Sequence, residues 1–358
     1  MRKILTCIFM ILSLYGFSSE ILEKRLKELN TVYSFKKIET IGSFNECYEI
    51  LIEQPINHDN PEQGTFQQKV YLSHKNFNQP TVFLINGYIS HSNTVNEWSE
   101  LLDANQIYVE HRYFGQSKPK EIVWETLNLK NACTDLHKIR MLFKEIYPGK
   151  WISTGISKGG LTAVSYNYFF PNDINATIAL SASIKTECDT SFFAYIDSLS
   201  AEFGCLKELK EFQKQLLINK DKVLPLLQEH FKTANKKHEY LGLTRIFETA
   251  VLEIPFSIWQ NNHGCKTVQD FETGTIDNLF KSFRKAIHDW FLTDDVFNDI
   301  DAYHYQAMTE LGYYCYPTSE FKEYLINGTE VYASVIQPKQ TTVKFSNELM
   351  KNIKEWLT

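Results

Sequence analysis

Residues Gly155-Ile156-Ser157-Lys158-Gly159 set a serine midway between two glycines, the spacing G-x-S-x-G. A serine hydroxyl is a weak nucleophile until a base takes its proton, so its surroundings decide whether it reacts. Residues 150–154 read as a short strand, and residues 161–166 can open a helix. A chain that turns so sharply from strand to helix holds its serine at a strained backbone position. Only glycine lets strand and helix approach so closely there. This geometry lifts the Ser157 hydroxyl into a cleft. It also aims the amide of Lys158 at a carbonyl oxygen that is becoming negative. A second donor is expected after the apolar run 81–85, where the chain continues Asn86-Gly87-Tyr88. The Tyr88 amide is the expected choice, with a plain strand-end turn as the alternative, since Asn-Gly is a common turn pair. The chemistry these residues suit is acyl transfer through an acyl-enzyme on Ser157.

The elements that must position them follow from periodicity. Residues 47–72 alternate apolar and polar and are broken by turn residues at 55–58 and 60–64, which reads as antiparallel strands. Residues 81–85 and 106–110 are apolar runs that read as buried strands, and 174–180 reads as another. Between them, residues 128–147 place Leu136, Ile139, Leu142, Phe143 and Ile146 on one helical face. Strands alternating with helices imply an α/β architecture with a mostly parallel sheet. Residues 20–32 read as a charged leader or first helix. Residues 19–184 would form the first part of the core. Residues 185–325 break the rhythm, read as several helices without a core strand, and are expected to form a helical cap. Residues 326–358 would return to the core, ending on a helix that Ser346 caps and that carries Leu349, Ile353, Trp356 and Leu357.

Composition narrows the partners. The chain has 358 residues, 43% hydrophobic, enough for a large core in one or two domains. Its net charge is -6 and it has no long basic run, which argues against nucleic acid. Residues 1–18 read as a secretory signal: Arg2 and Lys3, then an apolar run over 4–14 too short to span a bilayer, then Gly16 and Ser18 before the cut. Six cysteines follow, Cys47, Cys133, Cys188, Cys205, Cys265 and Cys315. They allow about 15 connectivities. Cys188 and Cys205 are the pair favoured by proximity, and Cys47 and Cys133 read equally well as buried thiols. No spacing suits zinc, so no metal and no organic cofactor is implied.

Further segments carry a resemblance. Val109-Glu110-His111-Arg112-Tyr113-Phe114-Gly115-Gln116-Ser117, Tyr147-Pro148-Gly149-Lys150-Trp151 and Gly155-Ile156-Ser157-Lys158-Gly159-Gly160 occur in that order. Pro255-Phe256-Ser257-Ile258-Trp259-Gln260 and Tyr305-Gln306-Ala307-Met308-Thr309-Glu310-Leu311-Gly312-Tyr313 follow. Together, over residues 45–357, they resemble a bacterial family of secreted serine peptidases with tripeptidyl aminopeptidase activity, related to the prolyl carboxypeptidases. The resemblance implies an α/β-hydrolase core with a helical cap, a peptide substrate, and a triad in the order Ser, Asp, His. It implies that the acid sits in a G-x-x-D-P-W-like turn and the histidine close to the C-terminus. Neither segment occurs here, so the resemblance implies that this chain lacks its last core strands with both partners of Ser157, and that alone it is nearly inactive.

The histidines after Ser157 are His230, His238, His263, His288 and His304, all within the expected cap. His304 follows Asp294, Asp295, Asp299 and Asp301, a pattern that suits a solvated acidic face better than an acid–base pair. His111 is expected to be structural, with Glu110 and Arg112 forming a partly buried pair beside it. An enzyme that cuts from a free N-terminus must hold an ammonium group. Glu310 is the first expected acceptor and Glu253 the second, each also readable as a surface carboxylate. Trp259 is expected to line a specificity pocket or to be a core tryptophan. Two alternatives stay open: a peptide-binding homologue without catalysis, and an esterase whose base comes from the cap.

Overall fold

The computed structural model describes residues 20–186, 190–260, 264–287, 292–326 and 343–358. The expected secretory segment, Cys188, His263 and His288 lie outside them. The chain forms two compact units, one of residues up to Ile184 with Asn352–Thr358, the other Lys185–Lys351.

The first unit is built on a seven-stranded sheet. Its strands are β1 (Val32–Ile38), β2 (Glu46–Pro55), β3 (Thr65–His74), β4 (Thr81–Ile85), β5 (Asn105–Val109), β6 (Trp151–Ile156) and β7 (Ala176–Leu180). Their order across the sheet is β1-β2-β3-β5-β4-β6-β7. Pairings from β1 through β3 to β5 are antiparallel; β5, β4, β6 and β7 run parallel. Strand β1 follows the segment 20–32 that was expected to be a leader or first helix. It is an edge strand with no fully buried residue, so its sequence lacks a strong apolar alternation.

Helix α1 covers residues 20–28, α2 is Glu97–Leu101, α3 is Leu129–Lys144 and α4 is Lys158–Phe169. Asn128 caps α3 by accepting the Asn131 amide. Leu136, Ile139 and Phe143 face inward from α3. They meet Ile107, Val109, Phe83 and Trp151 of the sheet in one apolar core, which Leu22 and Leu26 of α1 complete. Every residue of α4 from Lys158 to Tyr166 is buried, so this helix is enclosed on all sides and cannot move without displacing the core.

The second unit is helical: α5 (Ser191–Glu202), α6 (Leu206–Ile218), α7 (Lys220–Thr233), α8 (Leu243–Gln260), α9 (Gly264–Gln269), α10 (Ile276–Ala286), α11 (Asp294–Asp299) and α12 (Asp301–Gln306). Helix α13 (Glu348–Leu357) follows. Helix α8 runs through the middle of the unit's core, with Phe247, Val251, Ile254 and Ile258 all buried. The disulfide pairs Cys205 with Cys265, correcting the expected Cys188–Cys205 bridge. Nearness in sequence was the wrong guide: α6 and α9 both pack beside α8, and this brings residues 60 apart in sequence to a Cα separation of 5.5 Å. Cys315 is also disulfide-bonded, and Cys47 and Cys133 are buried free thiols. No helix among the described residues is long and apolar enough to cross a membrane, and none of their acidic, histidine or cysteine groups is arranged to hold a metal ion.

Candidate active site

Strand β6 ends at Ile156 and α4 begins at Lys158, leaving Ser157 as the single residue between them, at φ 56° and ψ -122°. That conformation is costly for a residue with a Cβ and persists only because its surroundings fix it. They do so through hydrogen bonds: the Ser157 amide donates to Leu180 O of β7 (2.9 Å), and its carbonyl accepts the Leu161 amide (2.9 Å). Gly155 and Gly159 are required by proximity. A Cβ on either would stand 2.8 and 2.5 Å from the Ile85 carbonyl oxygen of β4. Ser157 is exposed.

Because β4 is the parallel neighbour of β6, the turn after β4 lies beside Ser157. Ligands of parallel sheets gather at this carboxyl end of the strands. The expected Tyr88 amide donates to Asn86 Oδ1 at 3.1 Å, and the Tyr88 phenol lies near Ser157. Burial pushes that phenol up to about 12. Lys158 is buried, and its Nζ donates to Gly87 O (2.8 Å) while lying over the rings of Phe114 and Tyr88 at 5.1 and 5.7 Å.

The segment after β5 supports this corner. Glu110 and Arg112 were expected to pair, and they do not. Glu110 binds Lys69 (3.0 Å) and accepts from Ser90 N and from Ser117 Oγ and N. Arg112 binds Asp135 of α3 with two nitrogens, at 2.6 and 2.8 Å, and gives its remaining donors to the carbonyls of Ile56, Thr126 and Pro55. Both side chains are wholly buried, and a buried guanidinium needs all five donors met. A single neighbouring carboxylate could not do that. His111 donates from Nδ1 to the Arg112 carbonyl (2.8 Å), since a carbonyl only accepts. Burial, with the nearby Lys158 and Arg112 charges, keeps its ring neutral. The other histidines of this unit with assigned partners are His58 with Asp135, His74 with Tyr147 and His137 with Asp173.

The remaining expected residues belong to the second unit. Glu253 of α8 is buried, with one carboxylate oxygen taking the Tyr314 hydroxyl (2.9 Å) and the other the Tyr316 hydroxyl. Burial raises its pKa to about 7 against the stabilising effect of those donors. Trp259 packs on Phe203 and donates from Nε1 to Ser200 Oγ (2.9 Å), tying α8 to α5. Glu310 is half-buried in the π-helical turn Ala307–Leu311. His304 is buried against Phe297, its Nδ1 has no partner, and burial lowers it to about 4. The aspartates that precede it turn elsewhere: Asp294 accepts the amides of Glu239 and Tyr240, and Asp295 binds Lys236. The roles of Lys69 and Asp135 had no local signal, because each depends on a partner distant in sequence.

Comparison with known proteins gives the family of this chain. The prolyl tri/tetrapeptidyl aminopeptidase of Streptomyces mobaraensis is 30% identical over 292 residues, 80% of this chain and 60% of its own length. The probable serine protease EDA2 of Arabidopsis thaliana is 26% identical over 191 residues, 47% of this chain and 39% of that one. The chain thus spans about 60% or less of the length of these relatives. Among solved structures, acetyl xylan esterase 1 from Thermoanaerobacterium sp. JW/SL YS485 aligns with 54% of this chain and 65% of that one at 14% identity, but with a TM-score of only 0.33. The family model of PS-10 peptidase S37 matches residues 29–358, and with an α/β-hydrolase sheet carrying its serine at the β6–α4 turn, this chain belongs to that peptidase family.

Proposed function

We propose that this chain carries the acylation site of an exported serine peptidase that releases short peptides from the N-terminus of its substrate, with Ser157 as the nucleophile. The observation that carries this reading is the strained serine between β6 and α4 within a peptidase S37 chain. The tri/tetrapeptidyl aminopeptidase activity named for the Streptomyces relative supports the cut. Export is supported by the pattern of residues 1–18. The Lys158 amide, first on α4, is the backbone donor to the developing oxyanion, and Tyr88 supplies the second. Glu310 is the first choice to receive the substrate ammonium group. Glu253 fits less well, because both its oxygens already hold tyrosine hydroxyls. Trp259 contributes to peptide recognition by shape alone, since its N–H is spent on Ser200.

Turnover by the 358-residue chain is expected to be low. What supports this is that His58, His74, His111 and His137 each hold another partner. Without its base, a serine site keeps only the residual rate provided by its oxyanion donors and binding cleft. The same observation favours a second reading, a peptide-binding homologue that does not cut. A fluorophosphonate probe, followed by peptide mass spectrometry, separates the two. Slow labelling at Ser157, absent in Ser157→Ala, is the expected result. A wild-type chain that is never labelled, yet binds a tripeptide, would establish the binding reading instead.

A further inference from the structure

The loop of residues 86–90, which follows β4, has two of its carbonyls gripped by buried lysines. Lys69 Nζ reaches Ser90 O (2.5 Å) while binding Glu110, which also accepts the Ser90 amide (2.8 Å). Lys158, on the elbow itself, donates from Nζ to Gly87 O (2.8 Å) and lies over the rings of Phe114 and Tyr88. Loop and elbow are in direct contact: a Cβ on Gly87 would stand 2.6 Å from the Gly159 nitrogen and 2.8 Å from Lys158 Cβ. The Gly87–Tyr88 peptide unit is fixed at its other end too, where the Tyr88 N–H donates to Asn86 Oδ1 (3.1 Å). Asn86 cannot turn over, because its Nδ2 faces Ile89 O, Ser90 Oγ and the Tyr108 hydroxyl at 2.8 to 2.9 Å.

These contacts set the sense of one peptide plane. An ammonium only donates, so Lys158 can face the carbonyl end of the unit and never its N–H end. Asn86 Oδ1 only accepts, so it can face only the N–H. We propose that the Lys158 side chain is a positioning residue for acylation: its ammonium holds the Gly87–Tyr88 peptide so that the Tyr88 N–H, and not the Gly87 carbonyl, serves the elbow as a donor. The inference rests on Ser157 being the nucleophile and on Tyr88 supplying the second oxyanion donor. A unit that begins at glycine turns over readily, because glycine accepts the new backbone angle. Turned over, it would set a carbonyl oxygen where the amide stands and repel the developing oxyanion. Lys158 then has two separate functions: its own amide is one donor, and its ammonium keeps the other in place. Donors placed in advance in this way need no reorganisation as charge develops.

The contact can be read directly by NMR. In the full chain labelled with ¹³C-carbonyl glycine and ¹⁵N-tyrosine, only Gly–Tyr bonds correlate carbonyl with amide, and the sequence has Gly87-Tyr88 and Gly312-Tyr313. The first is the one missing from the Tyr88→Phe spectrum. Lys158→Met keeps the side-chain stem and removes the ammonium. The Gly87 carbonyl resonance should move upfield in it, as for a lost hydrogen bond, and return in Lys158→Arg. Fluorophosphonate labelling of Ser157 over a range of probe concentrations separates binding from reaction. The maximal rate should fall about 10²-fold in Lys158→Met, the effect of a misplaced catalytic group, with half-saturation unchanged and most of the rate regained in Lys158→Arg. Lys158→Gln, uncharged but still a donor, should show both changes to a lesser degree, and it carries the test if Lys158→Met does not fold. A rate that only follows the folded fraction in urea would make Lys158 structural and overturn the proposal. So would an unmoved carbonyl, or a moved carbonyl with a wild-type rate, and each of these leaves Ser157 as nucleophile. A wild-type chain that never labels would instead remove the nucleophile and this inference together.

Discussion

At the scale of single residues, the corner around Ser157 is held by buried charges tied into hydrogen bonds. Arg112 shows the consequence best. Its guanidinium is wholly buried, with two of its five donors on Asp135. Such a pair adds little net stability over an apolar pair of the same shape, but breaking it leaves an uncompensated charge in the interior. Asp135→Ala is therefore expected to cost about 3–5 kcal/mol in urea unfolding. His58 should at the same time lose its 2.7 Å partner, observable as a moved His58 ring resonance by NMR. A loss under about 1 kcal/mol would mean that water reaches Arg112 once the carboxylate is gone. The sequence announced an important segment at 109–117 but not this pairing. Arg112 finds its carboxylate 23 residues away, on a helix whose rotation is settled by packing.

At the scale of elements, the strand–turn–helix at β6, Ser157 and α4 is the most constrained part of the sheet. Gly159 sits where a Cβ would meet the Ile85 carbonyl at 2.5 Å and the Gly87 amide nitrogen at 3.0 Å. Both atoms are backbone, so the clash cannot be relieved by turning a side chain. Gly159→Ala should force α4 away from β4. The expected cost is about 1–3 kcal/mol of overpacking in thermal or urea unfolding. It should come with a loss of Ser157 labelling well beyond what reduced folding explains, because the turn that presents the hydroxyl moves with the helix. Unchanged labelling in a folded Gly159→Ala protein would contradict this account of the elbow. Helix α3 was legible because it buries one regular face, and strands β4 and β5 because they are buried on both faces and read as continuous apolar runs. Strand β1 was not, because an edge strand buries too little to leave a pattern.

At the scale of the whole molecule, stability depends on pH through buried groups of opposite sign. Glu253 has a folded pKa of about 7 against an ordinary 4.5. Between those values the folded chain keeps a proton that the unfolded chain has lost. Its contribution is therefore full below pH 4.5 and is lost as pH rises towards 7, about 3 kcal/mol in all. His74 and His304 are pushed down to about 4 from 6.5. They favour the fold above pH 6.5, and that contribution is lost as pH falls towards 4. The windows overlap, so the two effects partly cancel in the intact protein. The difference between wild type and Glu253→Gln isolates the carboxyl. Wild-type stability measured in urea is expected to fall relative to the variant by about 3 kcal/mol between pH 4.5 and 8. A flat difference would mean that Glu253 titrates like an exposed glutamate.

By itself the sequence determined the serine turn, the two glycines beside it, the α/β alternation of the first unit and the helical character of residues that follow Ile184. All of these are local: G-x-S-x-G, a period of two or 3.6, and the absence of strand patterns are written in adjacent residues. The tertiary structure alone decided which distant groups meet. It paired Cys205 with Cys265, Glu110 with Lys69 and Arg112 with Asp135, and it committed the Tyr88 amide to Asn86. The physical reason is common to them. A buried charge, thiol or hydroxyl takes whichever partner the packing of whole elements brings within bonding distance, and that distance bears no relation to separation along the chain.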